Sequence, residues 1–129
     1  MNGRVRQSAG RVERVAEVAV FYVVYVEVEA DAAESWEAYM RGHHIQEVVD
    51  TGCFSGAIFA AMDEAPAGKR AFRTIYMADD RAAVDRYFAT HATRLRDDHN
   101  RRFGTQVSAR REVLEVISRF APSAHETGE

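Results

Sequence analysis

Between Val18 and Glu29 the chain reads VAVFYVVYVEVE, apolar at nearly every position. Strict alternation puts Val20, Tyr22, Val24, Val26 and Val28 on one face and Phe21, Val23 and Tyr25 on the other. β-Branched and aromatic residues at a period of two predict a strand. Apolar side chains on both faces predict a central strand covered on both sides. The period then changes. Asp31 reads as a helix N-cap, with Glu34 three residues later to complete a capping box. Trp36, Tyr39, Met40 and His43 fall on one side of the helix that follows. Past Gly42 the apolar set is Ile45, Val48 and Val49, on the opposite side of the same wheel. One straight helix cannot bury both sets against one sheet, so the pattern predicts a break over 42–44. A second short turn follows, closed by Gly52 in the left-handed position that ends a helix.

The alternation returns over Phe54 to Met62, with Phe54, Ile58 and Met62 on one side of a second strand and Phe59 on the other. The stretch 63–68 holds Pro66 and Gly68 and reads as a hairpin loop. Arg70 to Met77 is a third strand. Asp79 or Asp80 caps a second helix that runs to Phe103 and ends at Gly104. Its apolar stripe is Val84, Tyr87, Phe88, His91, Leu95 and His99. Gln106 to Ile117 is the last strand.

This order, β-α-β-β-α-β, predicts an α+β fold of the ferredoxin-like kind, a four-stranded antiparallel sheet with both helices on one face. The domain covers 18–119. Residues 1–17 form an N-terminal extension, either disordered or a short helix, and 120–129 a flexible tail. Two helices cover only one sheet face, yet the first strand is apolar on both. The simplest second cover is another copy of the sheet, which predicts a homodimer through the open face, a dimeric α/β barrel.

Composition narrows the function. The chain of 129 residues is one domain by size. A net charge of −3, with arginines interleaved among acids, gives no basic field for nucleic acid. A single cysteine, Cys53, excludes a disulfide framework and a cysteine metal site. No apolar run reaches membrane-spanning length, and no signal-peptide pattern opens the chain, so a cytoplasmic protein is expected. No P-loop, dinucleotide fingerprint, serine elbow or zinc signature occurs, so no cofactor is expected.

The candidate chemistry is in the histidines. His44 sits at the expected helix break, where free backbone groups need partners. His91 and His99 lie on the apolar stripe of the second helix, Arg94 flanks it, and Trp36 belongs to the first helix. Two imidazoles and a guanidinium converging between the helices would bind a carboxylate or enolate and move a proton. A structural reading stands beside this one, because a histidine on an apolar face is ordinarily paired with a carbonyl or an acid. A metal is not expected: His91 and His99 lie eight residues apart in the sequence. That spacing is about 12 Å along a helix, too far to share an ion.

Residues 20 to 118 resemble an uncharacterised bacterial domain-of-unknown-function family. The matching stretches are Trp36 to Met40, His44-Ile45, Glu47-Val48 and Thr51 to Phe54. A second set is His91, Arg94-Leu95-Arg96, His99 and Arg102-Phe103-Gly104. The resemblance implies a dimeric α+β-barrel fold and no particular activity. Gln46 stands where the family pattern has a helix-restarting proline. The architecture is also similar to cofactor-free monooxygenases of antibiotic biosynthesis, muconolactone-isomerase-like proteins and small stress-induced barrel proteins, an analogy of fold alone. Two readings follow. One is a homodimeric module whose histidines are structural. The other is a small-molecule-binding protein or cofactor-independent enzyme with a His/Arg pocket between helices and sheet.

Overall fold

The computed structural model describes residues 19–123. The N-terminal extension and residues 124–129 of the expected tail lie outside them. The elements are β1 (Val20–Glu29), a 3-10 turn (Ala30–Ala32), α1 (Ala33–Tyr39), a π turn (Met40–His44) and α2 (Ile45–Val49). They continue with β2 (Gly56–Ala61), β3 (Lys69–Ala78), α3 (Arg81–Thr90), α4 (Ala92–Phe103), a 3-10 turn (Gly104–Gln106) and β4 (Val107–Glu115). The strands pair antiparallel in the order β2-β3-β1-β4. This is the α+β, ferredoxin-like arrangement, and the doubly apolar β1 is an inner strand as its composition requires. No helix among the described residues is long and apolar enough to cross a membrane.

The helices all lie on the sheet face that carries Val20, Tyr22, Val24, Val26 and Val28, where two core clusters form. One joins Val20, Tyr22 and Tyr76 to Val48, Val84, Tyr87 and Leu95. The other joins Val26, Val28 and Phe72 to Trp36, Tyr39 and Met40. Half-buried Val24 and Ile45 pack against both clusters and mark the seam between them.

Three expectations about the helices are corrected. Asp31 does not cap the first helix; it lies exposed in a 3-10 turn that leads into α1 with no side-chain cap. Asp80 does cap α3, its Oδ1 accepting from the Ala83 N–H at 2.9 Å. The expected break over 42–44 is a continuous helix instead, with Met40 and His44 both at helical dihedrals. The π turn takes in one extra residue, which sets back all later positions by about 100°. That rotation carries Val48 round to the sheet, where it is 1% exposed alongside Trp36 at 0%. It also turns His44 inward and leaves His43 exposed. The second helix is kinked at His91 (φ −122°, ψ −30°) and not uniform. Hydrogen bonds cross the kink, from the His91 N–H to Tyr87 and from the Leu95 N–H to His91.

Phe54 precedes β2 and is buried among the helices, so it does not share a side with Ile58. No helix among the described residues lies on the opposite sheet face. Ile58 and Leu114 are 53% and 44% exposed there. Val23 and Ile75, paired across β1 and β3, belong to the same face. Further along it, Arg73 and Arg110 sandwich the Tyr25 ring at 4.4 and 4.0 Å. Arg110 also pairs with Glu112 at 2.6 Å.

Candidate functional site

A narrow cleft of about 40 Å³ lies at the seam of the two clusters. Its floor is one register row of the sheet, Arg111 on β4, Val24 on β1 and Thr74 on β3. The strand period supplies these three: each has the parity that points at the helices. The π turn supplies His44 and Met40, α1 supplies Trp36, and α3 and α4 supply Tyr87, Arg96 and His99. Tyr22 and Tyr76 complete the wall.

His99 is tied down. The Trp36 Nε1–H donates to its Nε2 at 2.9 Å. A neutral ring that accepts at Nε2 carries its proton on Nδ1, which faces Asn100 Oδ1 at 3.2 Å. Burial holds His99 below the usual imidazole range, and Arg111 lowers it further against the pull of Asn100 and Asp98. His44 differs. Its ring lies 5.7 Å from that of His99 and 5.8 Å from that of Tyr39. Its Nδ1 is buried with no hydrogen-bond partner among the described residues. Burial first, and then His99 and Arg111, push its pKa down to about 4, with Asp98 opposing. Both rings are therefore neutral at pH 7.

The cationic groups are the two arginines. Arg96 donates to the Tyr22 hydroxyl at 3.1 Å, while its Nε is buried and unpartnered among the described residues. Arg111 is exposed at the cleft edge, and neither arginine forms an ion pair with any described acid. Among the described residues no carboxylate lines the cleft. Asp98 is turned to Tyr39 (2.9 Å), Arg101 and Arg102 instead. Burial and that hydrogen bond push the Tyr39 hydroxyl up to about 12. Burial likewise raises Tyr76 and Tyr87, so all three phenols stay protonated. The cleft thus offers donors and positive charge to whatever enters it.

Of the residues singled out by sequence, Trp36, His44 and His99 meet here. His91 and Arg94 do not line the cleft. The half-buried His91 ring stacks on Tyr87 at 6.4 Å, and Arg94 is exposed on α4. Arg96 and Arg111 stand in the cleft instead, and sequence reasoning missed both. The available signal for Arg111 was parity: it alternates in step with Val107 and Val113, which are half-buried on the helix face. Among the described residues no three His, Cys, Asp or Glu side chains gather as a metal site requires. Cys53 is a buried free thiol outside the cleft.

No curated protein matches the chain. Among solved structures it is similar to an ethyl tert-butyl ether d (EthD) family protein from Bacillus halodurans C-125. The TM-score is 0.59 at 10% identity, covering 76% of this chain and 99% of that one. It is also similar to two dimeric ferredoxin-like proteins from uncultured marine organisms. One has a TM-score of 0.56 at 10% identity over 78% and 97% of the two chains. The other has a TM-score of 0.56 at 9% identity over 85% and 97%. At these identities the likeness is one of fold. The sequence itself matches a family model over residues 19–117, so the chain belongs to the family described as "Domain of unknown function (DUF4286)".

Proposed function

We propose that the protein is a small-molecule-binding module that works as a homodimer. The observation that carries the ligand reading is the seam cleft, which His44 and Arg96 both line among aromatic side chains, each with a buried nitrogen, Nδ1 and Nε, that has no partner among the described residues. Buried polar atoms are normally paired, and a few convergent polar groups in an apolar cleft are what a ligand site consists of. The assembly reading rests on the bare sheet face with its exposed Ile58 and Leu114. Fold neighbours described as dimeric agree with it. A reducing compartment such as the cytoplasm fits a lone buried thiol.

The test is ligand-observed NMR with a panel of small acids, amines, alcohols and amides, read with the side-chain signals of His44 and Arg96. Binding compounds should shift both. If none of the panel moves either signal at millimolar concentration, the cleft is packing and the ligand reading falls.

A further inference from the structure

We infer that the cleft takes a small organic carboxylate, its carboxylate group seated between Arg96 and Arg111 and its apolar body against the aromatic wall. This rests on the reading of the cleft as a ligand site and adds its chemical class. Placement is the first argument. Arg96 and Arg111 line the same cleft as the apolar Trp36, Met40 and Val24, so a molecule that reaches both arginines also meets an apolar wall.

Charge is the second argument. Arg96 and Arg111 come from different elements, α4 and β4, and face one space with no described carboxylate between them. Two guanidiniums with no counter-charge repel each other, and an anion between them removes that repulsion and accepts from both forks. The remaining wall adds only neutral groups, the His44 ring and the protonated Tyr76 and Tyr87 hydroxyls. Shape is the third argument. Trp36, Met40 and Val24 are apolar and line the same space. An inorganic anion would leave them uncovered, whereas an organic acid covers them with its body.

The experiment is calorimetric titration with benzoate, benzamide and inorganic phosphate on the wild type and on Arg111→Gln. Arg111 is exposed, so its replacement leaves the core intact. Benzoate should bind, and benzamide, the same shape without the charge, should bind about tenfold or more weaker. Arg111→Gln should weaken benzoate by a similar factor and leave benzamide unchanged. Equal binding of benzamide and benzoate overturns the carboxylate class, as does phosphate binding tighter than benzoate. Undiminished benzoate affinity in Arg111→Gln overturns the seat. Silence from all three probes, where other panel compounds shift His44, defeats this inference alone. Silence from every compound defeats the ligand reading with it.

Discussion

At the residue scale the two buried histidines separate by their partners. His99 engages both nitrogens, with Asn100 and Trp36, whereas the His44 Nδ1 has no partner among the described residues. Replacing His99 by Leu orphans the Trp36 N–H of a fully buried indole, a loss of about 1–3 kcal/mol in urea unfolding. Replacing His44 by Leu keeps the volume and removes an orphan, so stability at pH 7 should stay within about 0.5 kcal/mol of wild type or rise. A loss at His44 as large as that at His99 would make both scaffold. Titration gives a second check. The folded pKa of His44 is about 4 against an ordinary 6.5, so the unfolded chain binds more protons between the two. The stability linked to His44 is whole above 6.5 and drains as pH falls toward 4, by up to about 3 kcal/mol. His44→Leu should flatten that slope, and an unchanged slope would locate the linkage elsewhere.

At the element scale the π turn decides what the first helix can present. Without its extra residue Val48 would face away from the sheet, and His44 would not reach the seam. The sequence showed the conflict, two apolar sets on opposite sides of one wheel, and Gly42 made a break the natural resolution. It could not show the resolution adopted, because a π turn and a break differ in backbone hydrogen bonding and not in side-chain pattern. Gly42 has helical surroundings and open space at its Cβ position, with no left-handed dihedral. Gly42→Ala should therefore stabilise by about 0.5–1 kcal/mol in thermal or urea unfolding, through helix propensity alone. A destabilised variant would mean that the turn needs glycine's freedom after all. Gly52, at φ 85° where α2 ends, should behave oppositely and lose about 1–2 kcal/mol as alanine. The strands were legible for the converse reason: period-two alternation gives both identity and face at once, as in β1. Arg96 and Arg111 were not, since they meet only after a kinked helix and an edge strand take their tertiary places.

At the scale of the whole molecule the open sheet face is the remaining unbalanced surface. Its two halves differ. Ile58, Ile75 and Leu114, around the buried Val23, make an apolar half, and the Arg73–Tyr25–Arg110 stack with Glu112 makes a charged one. The Arg73 Nε is buried there without a partner among the described residues. A two-fold axis lets an apolar patch bounded by charges of both signs pair with its own copy. One charge in the apolar half should therefore undo the assembly without touching the core. Ile58→Glu and Leu114→Glu each replace a side chain already more than 40% exposed in the single chain. Their folding and helix content should be unchanged. Sedimentation velocity should show the wild type as a dimer at micromolar concentration and both variants as monomers. A monomeric wild type would end the dimer proposal outright. Dimeric variants would move the interface to another face. The seam cleft lies on the helix side of the sheet, so monomeric variants should retain wild-type affinity for benzoate if each copy carries a complete site.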